Sequence, residues 1–400
     1  DKGLPDDTFA RVIREDTARA GLLYAGTEAG LFVSYDDGDN WQSLRANMPP
    51  VPITDLTMRH DKLVVATEGR GFYILDDVAT LRQLDRKTKG AKLTAYTPGS
   101  VKMTPAPWSW AKDVHAGSNP ARGVSIAYEI GKDVKGPLNI EILDSTGDVV
   151  RHYSSDVSDF DRCVKDNMVP RLAFKQKFPT LKQGLNHWTW DMRRGDMTCI
   201  DKVKIFSGFL GAYVQPGQYQ AKITIGAETA TVPITLEPDP NSSATQADYD
   251  YLAEKLTQSA SIVNETLNSI QAMRKATGQI EALMKDHADN EALMTAGKKA
   301  LKLIDEWSAK VTQRHIEVYE DEDHWPSMLD VQARHLFDVI DAAGAPIAKG
   351  ALDRLADLSE QWKALKAERD EIMNNNIKAI NEWAKSANIN HVSIIDDIKA

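Results

Sequence analysis

An internal repeat in the first 80 residues constrains the fold of this chain more than any other feature. The segment LLYAGTEAGLF, at residues 22–32, resembles LVVATEGRGFY at residues 63–73. The glycines that close the two turns, Gly30 and Gly71, are 41 residues apart. Each copy is predicted to be a strand, a tight turn and a second strand. A period of about 40–45 residues is typical of one four-stranded unit in a repeat array.

A second motif lies between the two copies and has the pattern S-x-D-x-G-x-[TN]-W, which defines an Asp-box. Its members are Ser34, Asp36, Gly38, Asn40 and Trp41. The carboxylate of Asp36 can accept backbone N–H groups and fix a hairpin, as in an Asx turn. Gly38 permits a positive φ, and Trp41 can bury a large ring. We therefore interpret the motif as structural rather than catalytic. The second copy continues as LDDV, without the glycine and tryptophan.

These features resemble the last blades of an Asp-box β-propeller of the sortilin-like and BNR-repeat type. The specific match covers roughly residues 8–80. The order of the later segments is similar to that of large bacterial secreted proteins labelled "glycosyl hydrolase, BNR repeat". There, a propeller is followed by an immunoglobulin-like sandwich and a helical tail. The resemblance implies a ligand over the channel, opposite the Asp-boxes. Glu28, Glu68 and Arg70 are then candidate channel-facing residues, with solvated turn residues as the alternative reading.

Residues 1–80 hold one complete blade and most of another, which is too little for a closed ring of about 4–8 blades. We expect the ring to be completed by upstream sequence of a longer polypeptide or by a second chain. In this chain alone, apolar blade faces should therefore be exposed.

The middle of the chain has strand and turn signals at short spacing. Residues 81–122 are predicted to be a linker or junction, and residues 123–240 an immunoglobulin- or fibronectin-III-like β-sandwich with insertions. Trp188 and Trp190 fall on one face of a strand, so they are predicted to be core residues; a sugar-stacking platform is the alternative.

Two insertions, at about residues 154–181 and 192–213, carry one cysteine each. Cys163 and Cys199 are predicted to form a disulfide, with two reduced buried thiols as the alternative. Three carboxylates near Cys163 could hold Ca²⁺ through oxygen ligands, although their spacing is not that of an EF-hand and a solvated loop is the other reading. These are Asp156, Asp159 and Asp161.

Composition changes sharply near residue 244. The last 157 residues hold 18 Lys and Arg against 27 Asp and Glu, but only two of the 17 prolines and four of the 24 glycines. Thr245 and Asp248 form a capping signal ahead of apolar residues at helical spacing. Residues 244–400 are therefore predicted to be an antiparallel helical bundle of about four helices. The complete fold class is multidomain, β followed by α.

The net charge of −10 disfavours a nucleic-acid partner, because binding to phosphates needs a basic surface. The sequence contains no apolar run of about 18 residues, so no membrane span is predicted. No G-x-S-x-G, H-E-x-x-H, C-x-x-C, Walker A or complete G-x-G-x-x-G motif is present, so no catalytic residue, metal site or cofactor is predicted, apart from the weak Ca²⁺ reading.

The leading hypothesis is a non-catalytic C-terminal part of a secreted propeller protein that binds or scaffolds an extracellular polymer, glycan or protein partner. Its location would be extracellular or periplasmic, as the resemblance implies. The alternative is an exo-acting glycoside hydrolase of sialidase or BNR type, with its active site mainly on upstream blades. A third reading is a subunit of an assembly whose other chain carries the first blades.

Overall fold

A computed structural model describes residues 2–84, 91–104, 121–156, 178–200, 205, 208–389 and 392. These residues divide into two compact units. The first contains the described residues up to Asp156, those from the next described segment up to Met192, and Pro216–Ser242. The second contains those within Arg193–Gln215 and those from Ser243 onward. The predicted order of β structure followed by a helical region is confirmed.

The first repeat forms a four-stranded antiparallel meander in the order β1-β2-β3-β4. Its strands are β1 (Ala10–Glu15), β2 (Leu23–Thr27), β3 (Gly30–Ser34) and β4 (Trp41–Ser43). One face of this sheet, with Tyr24 and Val33, is buried against the second sheet. Residues on the other face, among them Phe32 and Trp41, pack with Leu4 of the preceding segment. Both faces of β2 and β3 are thus covered, whereas Ile13 on the outer strand β1 is 50% exposed.

The second repeat forms a three-stranded antiparallel sheet in the order β5-β6-β7. Its strands are β5 (Ile53–Arg59), β6 (Lys62–Thr67) and β7 (Phe72–Leu75), and the short helix α1 (Ala79–Gln83) follows. Leu56, Leu63 and Val65 are at most 2% exposed and pack against the first sheet. The opposite face carries Phe72 and Ile74, which are 77% and 54% exposed. This sheet therefore has one buried face and one open apolar face.

Two further sheets form a β-sandwich in the first unit. A three-stranded sheet has the order β13-β10-β8, and a five-stranded sheet has the order β12-β11-β14-β15-β9, in which only β15 and β9 pair in parallel. The bounds are β8 (Leu93–Tyr96), β9 (Val101–Lys102), β10 (Val124–Ile130), β11 (Leu138–Leu143), β12 (Val149–Ser154), β13 (Gly184–Trp190), β14 (Gly217–Ile225) and β15 (Glu228–Glu237). Strands β8 and β9 come from the stretch predicted as a linker.

Aromatic rings join the two sheets of the sandwich. Trp190 is fully buried and meets Tyr219 of β14 edge-on, with ring centroids 5.7 Å apart. Trp188 is 5% exposed and meets Tyr153 of β12 at 4.4 Å. The prediction that both tryptophans belong to the core is confirmed.

The second unit is mainly helical. Its helices are α2 (Gln246–Asp286), α3 (Glu291–Val311), α4 (Leu329–Ala343), α5 (Lys349–Glu371) and α6 (Lys378–Ser386). A 3₁₀ turn (Tyr319–Asp323) has the acidic sequence YEDED, and a π-helical segment (Ile372–Ile377) joins α5 to α6. The predicted cap of α2 is confirmed, since Thr245 and Asp248 form a reciprocal capping box. Gly344 ends α4 with a φ of 70°.

Residues 193–215 lie in sequence between two sandwich strands, but their described members pack with the helices. Met197 and Ala212 join the apolar core of the helical unit. Arg193 donates to Asp341 of α4 through Nη1 and Oδ2, 2.9 Å apart, and the Tyr213 N–H donates to the same carboxylate at 2.8 Å. This insertion is therefore held in the helical unit by apolar contacts with its core and by polar contacts with Asp341 of α4.

No helix among the residues described here combines the length and apolar character needed to cross a bilayer.

Candidate functional site

The turns of the two repeats have the same hydrogen-bonded framework. In the first, Thr27 Oγ1 donates to the carbonyl of Gly30 at 2.9 Å; in the second, Thr67 Oγ1 donates to the carbonyl of Gly71 at 2.7 Å. The second turn has one residue more between these positions. Equivalent residues of the two repeats are therefore 40 positions apart before the turn and 41 positions apart after it, whereas the sequence alone indicates a constant offset of 41.

This shared framework brings two of the three candidate channel-facing residues together. The guanidinium of Arg11, on β1, pairs with the carboxylate of Glu28, and its Nη2 also lies 3.1 Å from Oε2 of Glu68. The side chains of Arg11 and Glu28 are about one third exposed, and that of Glu68 is 60% exposed. The third candidate, Arg70, is exposed in the same turn as Glu68. We name Arg11, Glu28 and Glu68 the turn-edge triad.

The turn-edge triad contributes little to the free energy of unfolding. Ion pairs between exposed side chains contribute about 0–1 kcal/mol, because water screens the charges and two long side chains lose freedom. Its two carboxylates are held on one guanidinium and still reach solvent. Such an arrangement offers preoriented hydrogen-bond acceptors to a polar ligand that approaches this edge of the sheets.

The Asp-box lies at the other end of the strands, in the loop between β3 and β4. Asp36 accepts from the Ser34 hydroxyl at 2.9 Å, and from the backbone N–H and side-chain amide of Asn40 at 2.9 and 2.8 Å. Gly38 has a φ of 94°, and its carbonyl accepts from the indole N–H of Trp41 at 2.9 Å. All five motif residues thus take part in one hydrogen-bonded network that fixes the loop.

A buried ionic cluster that the sequence did not indicate lies near the same end. Asp16 accepts from the N–H groups of Ala18 and Arg19 and from Nε of Arg82, all within 3.0 Å. Burial alone would raise the pKa of Asp16, but these hydrogen bonds outweigh it and hold the pKa below its usual value. Arg82 also pairs with Asp61. The cluster fastens α1, which follows the second sheet, to the first sheet.

Several predicted features fall wholly or partly outside the described residues. Cys163, Asp159 and Asp161 are among them, so the disulfide with Cys199 and the Ca²⁺ reading stay predictions. Within the part that is described, no three His, Cys, Asp or Glu side chains are grouped as a metal site would require.

Sequence reasoning missed Arg11 and the Asp16–Arg82 pair. Arg11 belongs to a strand outside the repeated segment, and no local pattern marks it as the partner of two distant turns. Asp16 and Arg82 are single charged residues in a chain with 106 of them, and only their burial together distinguishes them. The one available signal was the repetition of Thr-Glu in both turns.

Comparison with known proteins gives no family. No protein-family model matches the chain, and no curated protein matches it either. Among solved structures, it is similar to the extracellular domain of a hybrid two-component system protein from B. thetaiotaomicron, at 12% sequence identity and a TM-score of 0.15. The match covers 58% of this chain and 26% of that one. A likeness at this level supports no conclusion about fold or function.

Proposed function

We propose that residues 1–80 are two consecutive blades of an incomplete β-propeller, and that the chain is a non-catalytic binding or scaffold part of a secreted protein. Its ligand would be an extracellular polymer, glycan or protein partner, and its location extracellular or periplasmic. The sandwich, of immunoglobulin-like type, and the helical bundle would be accessory modules. The turn-edge triad would contribute to the ligand surface.

The observation that supports this proposal most strongly is the way the two repeat sheets pack. Leu31 and Val33 lie on the face of the first sheet that meets the second, and both are 3% exposed. Their equivalents after the turn, Phe72 and Ile74, lie on the face of the second sheet that points away from the first. The second sheet instead packs through Tyr73, Leu75 and their neighbours.

The sheets therefore meet through non-equivalent faces. A pair related by a two-fold axis would use the same face of both sheets, whereas non-equivalent contacts repeat in one direction and generate rings or open arrays. The open face of the second sheet, with Phe72 and Ile74, is equivalent to the face that the first sheet buries through Leu31 and Val33. This head-to-tail packing is what a propeller requires of neighbouring blades, and it favours a further sheet on that open face.

The triad favours a binding role over hydrolysis. A glycoside hydrolase uses one carboxyl as an acid and a second carboxylate across the scissile bond. Here the two carboxylates, of Glu28 and Glu68, are instead both paired with the single guanidinium of Arg11.

The test is binding of the full chain to a panel of bacterial and plant polysaccharides, with reducing-sugar release measured in parallel. We expect saturable binding without hydrolysis, weakened by about tenfold or more in Glu68→Gln, the size expected for one charge-assisted hydrogen bond. Glu360→Gln, an exposed carboxylate on α5, is the matched control and should bind as the parent does. Sugar release that is lost in Glu68→Gln would instead establish the hydrolase, and no binding to any polymer would refute the glycan-binding form of the proposal.

A further inference from the structure

The two carboxylates of the turn-edge triad occupy equivalent positions in the two repeats. The N–H of Glu28 donates to the carbonyl of Phe9 at 3.3 Å, and the N–H of Glu68 donates to the carbonyl of Pro52 at 3.0 Å. Each glutamate directly follows the threonine whose hydroxyl closes the turn. Both acidic side chains therefore reach the same edge of the sheets, where one guanidinium contacts them both.

The arginine between these carboxylates belongs to the first repeat alone. Arg11 is the extra residue of a β-bulge in β1, and a bulge changes the direction of the side chain that it carries. Strand β5 has a bulge at the same place in its pairing, and there the extra residue is Thr54. The second repeat thus brings a carboxylate to this edge without a cation of its own, and Glu68 shares Arg11 with Glu28.

The turn-edge triad consequently carries one excess negative charge and free acceptor atoms. Its guanidinium pairs with Oε1 of Glu28 and Oε2 of Glu68. Within the described part of the chain, the second oxygen of each carboxylate has no hydrogen-bond partner. Arg70 is exposed in the same turn as Glu68, but it forms no ion pair with a described carboxylate. An exposed anionic group with free acceptors is complementary to a cationic donor.

An exposed aromatic ring lies beside the same guanidinium. Phe9 is 61% exposed, and the guanidinium carbon of Arg11 is 5.8 Å from the centre of its ring. The ring and the two carboxylates are therefore grouped around one side chain. An exposed ring can pack against an apolar face of a ligand, and it attracts an ammonium group nearby.

The two turns offer side chains rather than backbone groups to a ligand. Besides the two glutamates, Ala29 and Thr67 also have their N–H groups bonded within the repeats. A peptide strand is held mainly by backbone hydrogen bonds to a sheet edge, which these turns do not provide. Side-chain acceptors beside an aromatic ring suit a sugar, which has polar groups around an apolar ring face.

We propose that the turn-edge triad and Phe9 form a binding site for an amino sugar whose nitrogen is not acetylated. The ammonium group of the sugar donates to the free oxygens of Glu28 and Glu68, and an apolar face of its ring packs on Phe9. A sugar that carries a carboxylate or sulfate is disfavoured by the excess negative charge. The inference rests on the proposed function and deepens it, because it names the ligand class of the same surface.

The test compares three hexasaccharides of equal length by titration calorimetry on the full chain. They are a glucosamine hexamer, its fully N-acetylated form and a galacturonic acid hexamer, at low salt and a pH of about 6, where an amine is protonated. We expect the glucosamine hexamer to bind at least about tenfold more tightly than the N-acetylated one, because acetylation removes a charge-assisted hydrogen bond. The galacturonic acid hexamer should not bind.

Variants separate this site from a general attraction of amines to an acidic protein. Glu68→Gln should weaken binding of the glucosamine hexamer at least about tenfold, whereas Glu360→Gln, which removes the same charge from α5, should leave it unchanged. Phe9→Ala should weaken it about two- to fivefold, and Phe9→Tyr should not. Arg70→Gln should not weaken it, as it would if the ligand were an anion.

The outcomes distinguish this inference from the proposed function. Equal affinity for the glucosamine and N-acetylated hexamers would overturn the inference and leave the polymer-binding role intact, and so would equal losses in Glu68→Gln and Glu360→Gln. Absence of binding to the glucosamine hexamer would also overturn the inference. The proposed glycan-binding role fails separately, when no polymer of the polysaccharide panel binds.

Discussion

Asp330 carries a carboxyl that folding of the helical unit removes almost completely from water. It is the second residue of α4 and is 1% exposed. Its Oδ1 accepts from the N–H of Val331 at 2.8 Å, whereas Oδ2 has no hydrogen-bond partner among the described residues. Burial raises the pKa of Asp330 to about 6, and Thr312 and Arg274 offset only part of this effect.

The consequence for stability has a definite sign. A carboxyl with a pKa near 3.8 when unfolded and about 6 when folded binds its proton more tightly in the folded state. Its contribution to stability is fully present below pH about 4, declines as the pH rises to about 6, and is lost above that value. A shift of about two pH units corresponds to about 3 kcal/mol. Asparagine stays neutral at every pH, so Asp330→Asn should be more stable than the parent by up to about 3 kcal/mol at pH 7.5.

Urea unfolding followed by circular dichroism at 222 nm measures this difference, because the long helices all lie in the second unit. The parent and Asp330→Asn are compared at several pH values between 4 and 7.5, so that the other titrating groups cancel in the difference. The advantage of the variant should shrink toward zero near pH 4. Asp353→Asn, an exposed carboxylate on α5, is the control and should change stability by less than about 0.5 kcal/mol throughout. A difference for Asp330→Asn that is independent of pH, or a less stable variant at pH 7.5, would refute the reasoning.

Four further outcomes can be checked by unfolding measurements on the full chain. Asp36→Ala removes the acceptor that fixes the loop between β3 and β4, and we expect a loss of about 2–3 kcal/mol in the first unit. Asp16→Asn removes the buried carboxylate that pairs with Arg82, which keeps its ion pair with Asp61, and should cost about 1–3 kcal/mol at pH 7. Because the folded pKa of Asp16 is lowered, that cost should shrink only as the pH falls below about 4. Trp190→Ala should cost about 3–5 kcal/mol through the cavity it leaves in the sandwich. Phe72→Ser should change stability by less than about 0.5 kcal/mol and reduce the binding of an apolar fluorescent dye. Unchanged dye binding would contradict an open apolar face at Phe72.

The local elements and their order could be predicted from the sequence alone. β10 (Val124–Ile130) and β11 (Leu138–Leu143) have apolar residues at alternating positions, which is the sequence pattern of a strand, and α2 begins at the capping box of Thr245. Trp188 and Trp190 point to the core as their positions on alternate residues of β13 require. These features are readable because strand alternation, helix capping and turn formation depend on residues a few positions apart.

Which surfaces meet could not be predicted from the sequence and is shown by the three-dimensional contacts. The sequence selected Glu28 and Glu68 from their turns, but it did not indicate that Arg11 joins them. It also gave no sign that the insertion at residues 193–215 packs with the helices, or that the repeat sheets use opposite faces. Contacts between residues far apart in the chain are selected by the free energy of burying whole faces and pairing charges on them. That free energy depends on the partner surface, which no local pattern of residues specifies.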